Sequence, residues 1–224
     1  MKKIFVAVPA YSGTITVETA DSLYAEIYEA VKRKYELIVQ FASQDAIISR
    51  CRNYMVRNFL KTDFTDLVFL DSDVGFPMGT LCNLVEYPVD IVGVSYPKRQ
   101  DFLNFPIRWL PHEMLYADSD TGLLEVEGLP AGCLRISRHA LEAIIEKHPE
   151  LEYDEPSGGV VHALFEFQRI GRAFLGEDLS FCKLARKTGF KVWLDPNIDM
   201  THTGHKVFKG NLGQWLLARN KKVA

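Results

Sequence analysis

Short β-branched runs alternate along this chain with segments of helical period, and that alternation limits its folds more than any other feature. Residues 4–8 form an apolar run stopped by Pro9, which reads as a buried first strand. Residues 17–34 follow with Leu23, Ile27, Ala30 and Val31 at helical spacing, the stripe expected to face a core. A second strand is predicted over 37–41. A helix follows over 47–60, with Ile47, Ile48, Cys51 and Met55 on one face and Arg50, Asn53 and Arg57 on another. Residues 67–70 make a third strand that stops at Asp71, and 89–94 a fourth. The stretch 96–111 is rich in aromatics and prolines and poor in helical signal. Residues 133–136 read as a strand, and Ser137 caps a helix over 138–147 whose Ala140, Leu141, Ile144 and Ile145 form the buried stripe. A last helix is predicted over 178–188, closed by Gly189, with a strand over 191–194. Alternation of this kind predicts an α/β fold, a largely parallel sheet covered by helices, with ligands collecting at the carboxyl ends of its strands.

Bulk properties narrow the function classes. The 224 residues suit one large domain, and no repeat, low-complexity stretch or long linker divides them. A net charge of −3 leaves no electrostatic footprint for nucleic acid or an anionic membrane. The first apolar run is too short for a signal peptide core or a membrane span, and no other run approaches that length. Cys51, Cys82, Cys133 and Cys182 lack metal-finger spacing, so reduced thiols and a cytoplasmic location are expected. Oligomeric state leaves no mark in the sequence.

The strongest chemical signal is the segment Leu67-Val68-Phe69-Leu70-Asp71-Ser72-Asp73-Val74-Gly75, an apolar strand delivering two carboxylates at its carboxyl edge. Hard oxygen ligands suit Mg²⁺ or Mn²⁺, which can bridge the phosphates of a nucleoside diphosphate and offset its charge as it leaves. The same residues also suit a turn closed by Gly75 before Pro77. Glu177 and Asp178 open a helix, where acidic side chains complement the macrodipole whatever else they do.

Taken in order, several segments resemble the glycosyltransferases of GT-A fold, family 2-like, over nearly the whole chain. These are the loop Val8-Pro9-Ala10-Tyr11-Ser12 after the first strand, the helix bearing Arg52 and Asn53, and the Asp71-Ser72-Asp73 motif. Downstream lie the glycine-containing segment Gly128-Leu129-Pro130-Ala131-Gly132-Cys133, then Gly176-Glu177-Asp178, then His202-Thr203-Gly204. The resemblance implies a Rossmann-like single domain over 1–224, with a mainly parallel mixed sheet flanked by helices. Residues 1–95 would bind a nucleotide sugar, and 96–224 would form the acceptor side.

It implies transfer of a hexose-like sugar from a nucleoside diphosphate sugar to the hydroxyl of a carbohydrate or other acceptor, dependent on Mn²⁺ or Mg²⁺ and inverting. Pro9 and Tyr11 would line the base and ribose, and Arg52 and Asn53 would approach the ribose or diphosphate. Asp71, Ser72 and Asp73 would take the donor, with Lys98 or Arg99 neutralising the diphosphate. Asp71, Asp73 and His202 would hold the metal, His205 competing with His202. Asp178 would be the general base, with Glu177 as the alternative. Residues 151–172, which contain Ser157-Gly158-Gly159, would form a loop closing over the donor, and Lys206, Lys209, Lys221 and Lys222 could meet phosphates. A retaining enzyme on the same fold, a nucleotidyltransferase, or a nucleotide- or carbohydrate-binding protein without turnover are the alternative readings. The loop over 9–17 has one glycine and no basic residue, which counts against the nucleotidyltransferase.

Overall fold

A computed structural model describes residues 1–111, 114–156 and 158–220. The elements in chain order are β1 (Lys3–Pro9), α1 (Val17–Lys32), β2 (Glu36–Ala42), α2 (Ile48–Leu60), β3 (Asp66–Leu70), β4 (Val74–Gly75), α3 (Thr80–Leu84), β5 (Ile91–Gly93), β6 (Leu124–Val126) and β7 (Cys133–Ser137). They continue with α4 (Arg138–Lys147), β8 (Glu152–Asp154), β9 (Val160–His162), β10 (Gln168–Ile170), β11 (Ala173–Leu175), α5 (Glu177–Thr188), β12 (Val192–Leu194), β13 (Asp199–Thr203), β14 (Val207–Asn211) and α6 (Leu212–Asn220).

The main sheet has the order β2-β1-β3-β7-β5-β12-β6. β2, β1, β3, β5 and β12 run one way, and β7 and β6 are antiparallel to their neighbours. This is the mainly parallel mixed sheet expected. Alternation along β1 explains its two coats. Ile4, Val6 and Val8 join Val68 and Leu70 of β3 under α1 and α3, whereas Phe5, Ala7, Leu67 and Phe69 pack under α2, α4 and α5. Trp109 is half-buried against the second of these cores.

α1 departs from the sequence expectation. Leu23 and Ala30 do face the core, but Ile27 and Val31 are exposed, and Thr19, Ser22, Glu26 and Glu29 are buried in their place. The surface beneath is the irregular backbone of 74–82. Thr19 Oγ1 donates to Val74 O at 3.0 Å, Ser22 Oγ accepts from Phe76 N at 2.8 Å, and Glu26 accepts from Gly79 N and Cys82 N, both at 2.7 Å. Buried backbone groups need partners, so here the inward face of a helix is polar.

The described residues of 151–172 include the short strands β8, β9 and β10 where a loop was expected. β8 pairs with β9, Leu164 and Phe165 are buried, and Asn53 both donates to Phe165 O and accepts from Phe165 N. Ser157 lies outside the described residues, as do Lys221 and Lys222. Among the described residues no helix is long and apolar enough to cross a membrane, and all four cysteines are buried and unbridged.

Candidate active site

Parallel pairing of β1 with β3, Ala7 opposite Phe69, delivers Pro9 and Asp71 to the same sheet edge. A cleft of about 450 Å³ opens there, lined among others by Pro9, Tyr11, Asp71, Ser72, Asp73 and His202. The C-terminal segment reaches it through a small second sheet, β14-β13-β4. His202 is registered opposite Val74, and Thr203 N donates to Asp73 O at 2.8 Å. Sequence motifs about 130 residues apart are thus stitched together by backbone hydrogen bonds.

Asp71 is held from three directions. Its N–H donates to Gly132 O at 3.0 Å, Oδ1 accepts from Arg52 Nη2 at 2.8 Å, and Oδ2 accepts from the Tyr96 hydroxyl at 3.0 Å. Arg52 is buried, and its Nη1 donates to Glu177 Oε1 at 2.5 Å. Burial opposes the charge on Arg52, yet Asp71 and Glu177 outweigh it and raise the guanidinium above its ordinary value. One arginine therefore ties the carboxyl end of β3 to the amino end of α5. Gly132 makes the closure possible, because a Cβ there would collide with the Asp71 carboxylate and the Tyr96 ring.

Asp73 faces a different set. Its Oδ2 is paired with Arg99 Nη2, and its Oδ1 lies 3.5 Å from His202 Nε2. His202 Nδ1 is 2.9 Å from Pro97 O, and a carbonyl can only accept, so Nδ1 carries the proton. Burial lowers the His202 pKa. In the neutral ring Nε2 then presents a lone pair toward a carboxylate oxygen, an arrangement that suits a shared cation. A spacing of 3.5 Å fits two neighbouring ligands of one ion, each about 2.0–2.2 Å away. Among the described residues no cluster of three His, Cys, Asp or Glu side chains is close enough to form a complete metal cage. The carboxylate of Asp71 is directed to Arg52 and Tyr96, whereas Asp73 and His202 converge.

Glu177 and Asp178 are separated by their partners. Glu177 is engaged by Arg52, and burial nevertheless raises its pKa. Asp178 Oδ1 accepts from Leu179 N at 2.7 Å, and burial raises its carboxyl too, with Arg52 and Asp71 close enough to act on it in opposite senses. Neither acid is among the residues lining the cleft.

The remaining expected residues divide in the same way. Pro9, Tyr11 and Ser72 line the cleft, Asn53 is occupied by Phe165, and Lys98 is exposed outside the lining. Arg99 stands in the lining where Lys98 does not. His205 is exposed and packs edge-on against Phe208, and Lys206 pairs with Asp101 at 2.6 Å. Tyr96 as the hydroxyl partner of Asp71, and Asp45 with Cys51 in the cleft wall, carried no such role in the sequence reading. Asp45 is bound to Arg50 and to Ile47 N, and burial holds the Cys51 thiol at about 11, so that wall presents a neutral thiol. A serine-glutamine-aspartate run before a helix signals a turn and nothing more.

No family model and no curated protein matches this sequence. Among solved structures, the chain is similar to A197 from STIV, with 18% identity, a TM-score of 0.52, and 91% of this chain and 86% of that one covered. S. aureus TarS residues 1–349 gives 15% identity and a TM-score of 0.47 over 87% of this chain and 58% of that one. A glycosyltransferase involved in the glycosylation of the major capsid of PBCV-1 gives 11% identity and a TM-score of 0.33, over 64% and 63%. At 18% identity the likeness to A197 is one of fold, and the chain has a mixed α/β architecture built on a mainly parallel sheet.

Proposed function

We propose that this chain is a divalent-metal-dependent glycosyltransferase that moves a sugar from a nucleoside diphosphate sugar to an acceptor hydroxyl with inversion. The observation that carries this reading is the convergence of Asp73 Oδ1 and His202 Nε2 at 3.5 Å in a cleft at the strand ends, with the His202 tautomer fixed by Pro97 O. Asp73 and His202 would hold Mn²⁺ or Mg²⁺, and the ion would stabilise the departing diphosphate. Pro9, Tyr11 and Ser72 line the cleft and would bound the nucleoside, and Arg99, paired with Asp73, would pass to the diphosphate oxygens. Asp71 contributes through Tyr96 and Arg52, holding the floor of the site.

Asp178 takes the acceptor proton. Glu177 is less suited because its carboxylate is hydrogen-bonded to Arg52, whereas the Asp178 carboxylate accepts from backbone N–H and makes no side-chain ion pair with Arg52.

Binding of UDP-, GDP- and dTDP-sugars by calorimetry, with Mn²⁺ or with chelator, tests the class. Metal-dependent binding of one donor, lost in Asp73→Ala, and turnover lost with binding retained in Asp178→Asn, are the expected outcomes. Binding of no donor, or binding indifferent to metal and to Asp73, overturns the reading.

A further inference from the structure

Helix α1 buries a largely polar face beside Leu23 and Ala30. Its polar residues serve the backbone of 74–82, and its apolar residues Val17, Tyr24, Ile27, Tyr28 and Val31 are exposed, Tyr24 by 81% and Val31 by 69%. Single exposed apolar residues are ordinary, but a contiguous stripe is not. Positions 17, 20, 24, 27 and 31 alternate in steps of three and four, which is the a/d seam of a helix that pairs with another helix. Ala20, at the one small position, leaves room for the partner to approach.

We infer that α1 docks against α1 of a second copy of this chain, antiparallel, about a two-fold axis near Tyr24. Charge selects both the partner and the direction. Exposed Asp21 flanks the seam at its amino-terminal end, and exposed Lys32 and Lys34 stand at its carboxyl-terminal end. About that axis Asp21 falls opposite the partner's Ile27, with the partner's Lys32 about 7.5 Å further along the helix, whereas parallel pairing sets Asp21 against Asp21 and Lys32 against Lys32. The same axis places Val17 opposite the partner's Val31 and Tyr24 opposite the partner's Tyr24. The stripe offers on the order of 500 Å² from each copy, its tyrosines the largest part, and so about 1,000 Å² in total, where specific interfaces begin. A bilayer fits less well, because acidic Asp21 borders the apolar stripe.

The test is the mass of the full chain in solution, by light scattering or sedimentation, from about 1 µM to about 100 µM, the range suited to an interface of this size. The mass is expected to rise toward that of two chains, and Tyr24→Glu with Val31→Glu to hold it at one chain across the range, with an unchanged circular dichroism spectrum. Geometry is read by cross-linking. Tyr24→Cys is expected to form a disulfide-linked dimer on mild oxidation, and Val17→Cys to form one only when combined with Val31→Cys. The four native cysteines are buried and leave the assay clean. A chain that stays monomeric, a dimer indifferent to the double glutamate variant, linking by Val17→Cys alone, or a monomer that pellets with phosphatidylglycerol–phosphatidylcholine vesicles would each overturn the proposal.

Discussion

Two adjacent carboxyl groups, Glu177 and Asp178, sit at one helix terminus and meet different fates because one arginine reaches only the first. Arg52 pairs with both Glu177 and Asp71, and leaves Asp178 partly desolvated without a hydrogen bond from it. Burial raises the Asp178 carboxyl above its ordinary 3.8, so its charged form is costlier in the folded chain than in the unfolded one. Stability from this group is full below the unfolded pKa and is lost as pH rises through the folded value. Asp178→Asn is therefore expected to lower turnover by about 10²–10⁴-fold while raising neutral-pH stability by roughly 0.5–2 kcal/mol, read from kinetics and urea unfolding. In the wild type, kcat/KM should fall as pH drops through that raised value, an acid limb lying above pH 3.8. A variant that loses activity and stability together would assign Asp178 a structural role. By contrast, Arg52→Ala removes a buried charge from between two acids, and is expected to cost about 3–5 kcal/mol in the same unfolding assay.

At the scale of the element, α1 shows where the sequence can mislead. Leu23, Ile27, Ala30 and Val31 have helical spacing, and the helix is there, but periodicity cannot say which stripe faces inward when what lies beneath is backbone. α3 starts at Gly79 without a side-chain cap of its own, and Glu26 supplies one from α1. Removing it leaves two buried N–H groups without an acceptor, at about 1–3 kcal/mol each. Glu26→Ala should thus cost roughly 2–5 kcal/mol in urea unfolding, and Glu26→Gln, which keeps one acceptor oxygen, should fall between it and wild type. The continuous apolar runs 4–8 in β1 and 67–70 in β3 were legible for the opposite reason, since those residues are buried on both faces of the sheet. β4, with two residues, and β13, reading Asp-Met-Thr-His-Thr, carry no such pattern, and their pairing is fixed only by distant chain. The Asp71-Ser72-Asp73 motif could be picked out from residue type, whereas His202 stood out only through the family resemblance. That Asp71 turns to Tyr96 while Asp73 turns to His202 and Arg99 depends on side-chain direction, which no spacing reports.

The candidate site draws on residues from Pro9 to His202, so no contiguous part of the molecule contains it. β1, β3 and β13 all contribute, joined by pairings between segments far apart in the chain. A ligand that recognises this arrangement binds only the assembled chain, and by mass action its binding energy becomes stability of the whole. At about a hundred times its Kd a donor adds roughly 2.7 kcal/mol. For a chain of 224 residues each kcal/mol moves Tm by about 2–4 °C, so a shift on the order of 5–10 °C is expected with the correct nucleoside diphosphate sugar in Mn²⁺. Chelator should abolish most of that shift in the wild type. Asp73→Ala should give no shift in either condition, because the carboxylate that faces His202 is gone. Scanning the bases in this assay also identifies the donor class, through the nucleotide that raises Tm most. An equal shift with chelator present would mean that Arg99 alone meets the diphosphate, with Asp73 acting only to hold that arginine in place.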